Sequence, residues 1–273
     1  MAAALGVTTY RAERAAERRV DDLMAAAGSD PSTDRTGRGD PEELGALPDP
    51  VRRYLDRVLP PEQRDVRAAR LEQRGDIELD GTWRPFTATQ HVTVDPPGFV
   101  WDATVGMAPL VDARVVDASV DGEGSLRATV FGLPVAEAAP GPGLDSGELV
   151  RYLAEAVWFP TALRPSAGVE WESVDDRTAR ATLTHSETTA TVTFHFGSDG
   201  LVERVSAERY RQEMGDYAPW VGRFDRYVRR DGLLVPAEGE VAWETADGEA
   251  PYWRGTVAAV DYATGRARRL ETH

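Results

Sequence analysis

The chain has 273 residues, of which 41% are hydrophobic and 8% aromatic, so it can bury a sizeable core and is not disordered over its bulk. It contains no cysteine, which excludes disulfides and thiolate metal sites. Asp and Glu total 46 against 31 basic residues, and the net charge of −15 argues against a nucleic-acid partner and against attraction to an anionic membrane.

All the basic residues are arginine. An acidic surface without lysine suits a halophilic protein, because high salt screens the repulsion between its charges. A GC-rich genome that encodes arginine in place of lysine is the alternative explanation. We expect a halophilic origin.

Residues 1–27 are predicted to form a weakly amphipathic surface helix. Ala16, Val20, Leu23 and Met24 share one face of this helix. The N-terminus lacks a basic region typical of signal peptides, and no stretch approaches the roughly 18 apolar residues of a membrane-spanning helix. This N-terminus therefore predicts a soluble cytoplasmic protein.

Residues 28–43 are rich in Gly, Pro, Ser and Asp and are predicted to be a flexible linker. Residues 44–273 are predicted to form a single domain. Its first element is a short helix in LPDPVRRYLDRVLPP, with Pro50 in the first turn and Pro60 ending it.

From about residue 66, apolar and polar residues alternate with a period of two, which is typical of β-strands. We count ten to twelve strands about ten residues apart, joined by hairpin-like turns such as DPPG and RDG. Short turns favour an antiparallel meander, and a meander of this size must curl. The sequence predicts a mainly β fold, a large curled antiparallel half-barrel with one apolar face.

A helix over residues 145–159 interrupts the strands. Asp145 and Glu148 have the spacing of a capping box at its start. One face is an apolar stripe of Leu149, Val150, Leu153, Ala156 and Val157. We expect this stripe to pack on the concave face of the sheet.

Two large aromatic residues, Trp158 and Phe159, end this helix just before Pro160. Proline disfavours a helical conformation at the residue before it, so the last turn is expected to open. The two aromatic side chains then either fill the core or line the rim of a cavity.

Several segments resemble an uncharacterised prokaryotic family, a domain of unknown function, over about residues 44–263: LPDPVRRYL, WRPFTATQHVTVDPPGFVWDA, DGEGS, RYLAEAVWFPTAL and PYWRG. The predicted fold is similar to the half-barrel of the lipoprotein-localisation (LolA/LolB-like) proteins. The resemblance supplies no catalytic or binding residue. Because relatives of this kind often begin with a membrane-spanning helix, it implies a membrane-anchored, extracytoplasmic protein as the alternative location.

Catalytic chemistry finds little support in the sequence. His91 and His195 are each expected to face solvent, and no histidines have metal-ligand spacing. There is no cysteine nucleophile and no G-x-S-x-G motif. Asp102 and Glu172 follow tryptophans but lie on the polar sides of their strands. We predict no catalytic residue, no metal and no cofactor.

The candidate ligand-binding residues are aromatic, with one arginine: Trp101, Trp158, Phe159, Trp171, Trp243, Tyr252 and Arg254. The strand tryptophans lie on apolar faces, where packing in the core is the alternative. In PYWRG, Tyr252 and Arg254 are predicted to share one side and Trp253 the other. An inward Arg254 would hold an acidic head group, whereas pairing with a neighbouring carboxylate is the alternative.

The functional hypothesis is a non-catalytic binder or carrier of an apolar or amphipathic, lipid-like molecule in the half-barrel. One alternative is a structural or interaction module with a solid core. The other is a hydrolase-type enzyme acting in the same hollow, which requires inward ionisable side chains that the alternation does not supply. Membrane association and oligomeric state are left open.

Overall fold

The structure is a computed structural model that describes residues 2–27, 44–61 and 65–264, with side chains in the first segment from residue 13 onward. The predicted linker, residues 28–43, lies outside the described residues.

Three α-helices and thirteen strands make up the described chain. The helices are α1 (Ala2–Ala27), α2 (Asp49–Val58) and α3 (Pro142–Glu155), and α3 is followed by 3₁₀ turns at Ala156–Trp158, Pro160–Leu163 and Pro165–Ala167. The strands are β1 (Ala68–Leu79), β2 (Thr82–Thr93), β3 (Gly98–Ala108), β4 (Val111–Val120), β5 (Glu123–Val130), β6 (Leu133–Glu137), β7 (Val169–Asp175), β8 (Thr178–His185), β9 (Thr188–Phe196), β10 (Val202–Arg211), β11 (Asp216–Arg230), β12 (Leu233–Thr245) and β13 (Gly248–Ala263).

All thirteen strands belong to one antiparallel sheet, in the order β6-β5-β4-β3-β2-β1-β13-β12-β11-β10-β9-β8-β7. It consists of two meanders, β1–β6 and β7–β13, which join where β1 pairs with β13. The sheet curls into a half-barrel, here called the trough, and α3 lies against its inner face. The predicted fold is confirmed, with one strand more than the predicted upper count.

The helix α3 connects β6 to β7, the two opposite edges of the sheet, so the chain crosses the trough through it. All five residues of the predicted apolar stripe are buried, and so are Tyr152 and Ala154 on other sides of the helix. A helix buried on most of its faces is one enclosed by its own domain. The predicted packing on the concave face is therefore confirmed.

The predicted capping box at the start of α3 is wrong. The helix begins earlier, at Pro142, with Gly141 at the N-cap and no side-chain cap among the described residues. Proline suits the first helical turn because its missing N–H has no partner there in any case. The carboxylate of Asp145 instead accepts a hydrogen bond from the backbone N–H of Gly124, at 2.7 Å, in the β4–β5 hairpin.

The two N-terminal helices lie on different sides of the sheet. In α2, the predicted apolar side is buried in the main core, where the ring of Tyr54 packs on Phe196 at 5.8 Å. In α1, the predicted face is buried against Val100 and Ala118 on the convex side. None of the described helices is both long and apolar enough to span a bilayer.

Candidate functional site

The inner face of the trough has two parts, which differ in what covers them. At the first, the covered end, α3 packs on β4, β5, β9 and β10. At the second, the open end, the inward side chains belong mainly to the central strands and are only half-buried.

A group of five charged residues, here called the buried ionic cluster, lies at the covered end. It comprises Asp117 on β4, Glu148, Arg151 and Glu155 on α3, and Arg209 on β10. Asp117 and Glu148 are almost fully buried, and the side chain of Arg151 is 14% exposed. Buried charges need partners, since an isolated ion in a protein interior costs several kcal/mol.

Arg151 is the centre of the cluster. Its guanidinium donates to Asp117 Oδ2 at 2.6 Å and to Glu155 Oε1 at 2.8 Å. The same group lies over the rings of Phe99, at 4.6 Å, and Trp101, at 5.5 Å. The ion pairs and the two cation–π contacts together fix α3 to β3 and β4.

A chain of side-chain hydrogen bonds extends the cluster to the centre of the sheet. Gln90 donates to Glu155 Oε2 at 2.6 Å, and Gln73 donates to Gln90 at 2.9 Å. The indole N–H of Trp101 donates to Gln73 at 2.8 Å. These bonds satisfy polar groups on β1, β2 and β3 that burial would otherwise penalise.

Arg209 ties the other side of the cluster to the wall of the trough. It donates to the carbonyl of Gly147 at 2.9 Å and to the Tyr252 hydroxyl at 3.0 Å, and lies 3.5 Å from Glu148 Oε1. The indole N–H of Trp220 also donates to the Tyr252 hydroxyl, at 2.8 Å. Two donors therefore hold the Tyr252 ring in place.

Burial raises the pKa of Glu148 to about 8, and the nearby charge of Asp117 adds to the effect. Burial also raises the pKa of Asp117, against the lowering effect of Arg151. If Glu148 carries a proton, the negative charges of Asp117 and Glu155 equal the positive charges of the two arginines. The cluster is electrically balanced in that state, which favours protonated Glu148 at neutral pH.

Two carboxyl oxygens of the cluster, Glu148 Oε2 and Asp117 Oδ1, are buried without a hydrogen-bond partner among the described residues. The expectation that the alternation places no ionisable groups inside the trough is therefore wrong. A signal was present in the sequence, because Asp117 shares its strand parity with the inward Ala113 and Val115.

The half-buried apolar side chains of the open end are Ile77, Leu79, Met107, Val115, Val241, Trp243, Tyr252 and Trp253. Two arginines lie among them: Arg84, which pairs with Ile77 across β1 and β2, donates to the carbonyl of Met107, and the guanidinium of Arg211 lies 5.1 Å from the centre of the Trp243 ring. The rings of Trp243 and Tyr252 stack with an interplanar angle of 18° and 5.7 Å between centroids. Trp253 packs on Phe86 at 5.6 Å. This part of the inner wall is mainly apolar, carries two arginines, and is incompletely covered by the described residues.

Three of the predicted ligand-binding residues lie in the core. Trp101, Trp158 and Phe159 are 4%, 2% and 1% exposed. The Trp158 indole packs edge-on against Phe224 at 5.7 Å and donates to the carbonyl of Pro236 at 3.1 Å. These residues pack in the core, which is one of the two arrangements that the sequence left open. That they contact a ligand stays a prediction.

The remaining tryptophans on the predicted apolar faces, Trp171 and Trp243, are half-buried. Trp171 donates to the carbonyl of Leu163 at 2.8 Å and packs edge-on against Phe194 at 5.2 Å. It therefore secures the segment after α3 to β7 and β9. Only Trp243 of this pair belongs to the open end.

The prediction that Arg254 lies on the same side of its strand as Tyr252 is wrong. A β-bulge in the β12–β13 pairing leaves Tyr252 without a partner, since Val241 pairs with Trp253 and Ala242 with Pro251. The bulge breaks the alternation, so Tyr252 and Trp253 both pack on the core side. Arg254 lies on the other side, where it pairs with Asp76 at 3.3 Å and covers the Trp83 ring at 4.4 Å.

The histidine on β2 also differs from expectation. His91 is buried, and the prediction that it faces solvent is wrong, because it pairs with Val100, which packs under α1. His195 is half-buried outside the trough, 3.1 Å from the Ser206 hydroxyl, and burial lowers its pKa. No group of His, Asp and Glu side chains in the described part of the chain has the arrangement of a metal site.

The predicted polar placement of two acids is confirmed. Asp102 accepts two hydrogen bonds from Arg114, at 2.8 and 2.6 Å, and Glu172 accepts one from Arg180 at 2.8 Å.

Two surface grooves, of about 770 and 1270 Å³, lie beside α1 rather than inside the trough.

Among solved structures, the chain is similar to a DUF1329 family protein from Desulfovibrio piger, at 11% identity over 76% of this chain and 88% of that chain, with a TM-score of 0.39. It is also similar to a LolA superfamily protein from Nitrosomonas europaea, at 12% identity over 81% and 93%, with a TM-score of 0.38. A third is a β-barrel-like DUF1849 protein from Brucella abortus, at 12% identity over 74% and 100%, with a TM-score of 0.26. Likenesses this weak carry no functional conclusion.

No curated protein matches the chain. Residues 45–262 match a family of unknown function, DUF6920, and the chain belongs to that family.

Proposed function

We propose that this protein is a non-catalytic binder or carrier of an apolar or amphipathic, lipid-like molecule, held at the open end of the trough. The observation that carries the proposal is the half-buried apolar wall, which includes Ile77, Val241 and Trp243. Several of these side chains, including Trp243 and Trp253, are large and only half-buried. A group of partly exposed apolar residues is the feature that marks a ligand-binding groove.

A ligand would gain from this wall in two ways. It would remove apolar surface from water, which stabilises a complex by about 25 cal/mol per Å². It would also meet aromatic faces that are already ordered, since Trp220 and Arg209 fix the hydroxyl of Tyr252 and Tyr252 stacks on Trp243. Such preorganisation lowers the entropic cost of binding.

The buried ionic cluster supports the wall without needing to touch the ligand. Through Arg209 it holds Tyr252, and through Arg151 it holds α3 across the trough. In this proposal Tyr252 is a positioning residue, and the apolar neighbours make the contact.

The test combines native mass spectrometry of gently purified protein with titration by a fluorescent fatty acid. We expect a co-purifying mass in the lipid range and saturable binding with displacement by unlabelled lipid. The variant Ile77→Arg places a charge in the wall and should weaken binding at least about tenfold. Thr87→Arg adds the same charge at an exposed position and should leave the affinity unchanged.

Clean apo protein that binds no fatty acid would overturn the proposal and favour the structural or interaction module. Equal weakening in both arginine variants would do the same, because the effect would then not come from the wall. Thermal unfolding of both variants separates loss of binding from loss of fold.

A hydrolase-type enzyme is the second candidate, favoured by one observation: Glu148 is a buried carboxyl whose pKa is raised to about 8. A carboxyl that keeps its proton at neutral pH can serve as a general acid. The check is hydrolysis of acyl esters by the wild type and by Glu148→Gln. Turnover that the substitution abolishes would support the enzyme, and no turnover in the wild type would exclude it for esters.

A further inference from the structure

Two arginines face into the trough at its open end. Arg84 precedes the core residue Phe86 by two positions on β2, so both lie on the inner side of that strand. Arg211 follows the inward Arg209 by two positions on β10. Both Arg84 and Arg211 are half-buried. Because arginine is not deprotonated in proteins, each brings a permanent positive charge to a mainly apolar surface.

The apolar wall lies between these two charges. Arg84 pairs with Ile77 on β1, and Ile77 pairs with Trp253 on β13. On the next strand, β12, the guanidinium of Arg211 lies 5.1 Å from the centre of the Trp243 ring. The three strand-to-strand steps from β2 to β12 span about 14 Å along the sheet. An elongated apolar molecule lying along this wall therefore has an arginine at each end.

Arg84 has no carboxylate partner among the described residues. Its Nη1 donates to the carbonyl of Met107 on β3, its Nε is buried without a hydrogen-bond partner, and its Nη2 donates to no described residue. A carbonyl oxygen is neutral, whereas a half-buried guanidinium is stabilised most by an anion. The chain has 46 acidic and 31 basic residues, so carboxylates that could fill this position are abundant.

Arg211 is partly neutralised by its neighbours. Its Nε lies 3.4 Å from Glu213 Oε2, without forming a hydrogen bond, and the Glu213 side chain is 77% exposed. Asp216 pairs with Arg211 on β11, but its carboxylate accepts a hydrogen bond from the backbone N–H of Tyr217. Exposed ion pairs of this kind are weak. Arg211 therefore attracts an anion less strongly than Arg84 does.

We propose that the ligand at the open end is an anionic amphiphile, with its alkyl chain on the apolar wall and its carboxylate or phosphate oxygens bound by Arg84. Arg211 adds a second, weaker attraction. The planar guanidinium presents parallel N–H donors that match the oxygens of a carboxylate or a phosphate. This inference rests on the proposed function and specifies the chemical class of its ligand.

Desolvation favours an anionic ligand over a neutral one. A molecule that covers the wall also removes water from the guanidinium of Arg84, and a neutral molecule would leave that charge without a counter-ion. The net charge of −15 opposes an anion at long range. Salt screens that repulsion beyond about 8–10 Å, so the nearby arginines decide the preference.

The test compares ligands that share one alkyl chain and differ in the head group: dodecanoate, dodecyl phosphate and dodecanol. Displacement of N-phenyl-1-naphthylamine, an uncharged fluorescent probe, from the full chain measures the three affinities. We expect at least one of the two anions to bind about tenfold more tightly than dodecanol. The anion that binds more tightly identifies the head group as carboxylate or phosphate.

Arg84→Gln keeps a donor for the Met107 carbonyl but removes the charge. It should reduce the preference for the anion to about twofold or less and leave dodecanol binding unchanged. Arg84→Lys retains the charge and should retain most of the preference. Arg211→Gln should reduce the preference only a few-fold, because Glu213 already offsets part of that charge.

The matched control is Arg254→Gln. Arg254 lies on the opposite side of the sheet, paired with Asp76, and its substitution should change neither affinity. Ile77→Arg disturbs the wall itself and should weaken dodecanol binding, which none of the Arg84 variants should do. Thermal unfolding of every variant identifies any loss of fold.

The outcomes separate this inference from the proposed function. Equal affinities of the wild type for dodecanol and both anions would overturn the inference and leave the proposed function intact. An anion preference that persists in Arg84→Gln, or that Arg254→Gln loses equally, would also overturn it. No binding of any of the three ligands would overturn both.

Discussion

The covered and open ends of the trough are formed by the same sheet but differ in what lies on its inner face. At the covered end, α3 brings apolar side chains and three charged groups, and the space is filled. At the open end, residues such as Leu79 and Trp243 face inward and remain half-buried. A curled sheet needs a cover for its concave face, and the described residues supply one for only part of it.

The largest effect is expected from breaking the buried ionic cluster at the covered end. Arg151→Met leaves Asp117 and Glu155 without their cation, and we expect a loss of about 3–5 kcal/mol in the free energy of unfolding. Urea denaturation measures it. The control Arg180→Met breaks an exposed pair with Glu172 and should cost under about 1 kcal/mol.

A pair of leucines compares the two ends directly. Leu153→Ala at the covered end should cost about 2–5 kcal/mol because it leaves a cavity in a filled core. Leu79→Ala at the open end should cost about 1 kcal/mol, since that side chain is only half-buried. Equal losses in urea denaturation would mean that the open end is as solid as the covered one.

The pH dependence of stability isolates Glu148. Its pKa is raised from 4.5 in the unfolded chain to about 8 in the folded one, so the folded state holds the proton more tightly. The resulting stabilisation is complete below about pH 4.5 and is lost as the pH rises to about 8, at up to about 1.4 kcal/mol per pH unit.

Glu148→Gln keeps the shape of the protonated group and should flatten the decline of the unfolding free energy over this range. Asp117 shifts in the same direction, so part of the slope should remain. An unchanged slope in the variant would place the responsible proton elsewhere.

A small effect is expected at the junction of the two ends. Tyr252→Phe removes the hydroxyl that accepts hydrogen bonds from Trp220 and Arg209, and should cost about 1–2 kcal/mol. Near-ultraviolet circular dichroism should report loosening of the Trp243 stack. Tyr217→Phe, at an exposed tyrosine, should change neither signal.

The fold was predictable because it depends on patterns that act locally. Alternation and turn residues such as Asp121 and Asp231 indicated the strands and hairpins, and the apolar stripe of α3 indicated its packing. Each of these signals operates within about ten residues, which is the range that a single sequence reveals.

The site was less predictable because its key residues depend on irregular geometry or on distant partners. The bulge at Tyr252 breaks the alternation that predicted Tyr252 and Arg254 on one side of β13. Glu148 has the spacing of a helix cap, yet its neighbours are Arg209 and Asp117, from strands 61 and 31 residues away. His91 is buried on the convex face, where it pairs with Val100 beneath α1, and no local pattern encodes that packing.

The seam between β1 and β13, where residue 68 pairs with residue 263, governs how the chain can assemble. Every other strand pair joins neighbours in sequence, so each meander can form from its own hairpins, and a single hairpin forms in about 1–10 microseconds. Closing the seam requires the two finished halves to meet around α3, and the entropy of that long loop makes it the slow step. Since β1 and β13 lie at the centre of the sheet, a circular permutant that joins them and opens the chain elsewhere should fold faster than the native order.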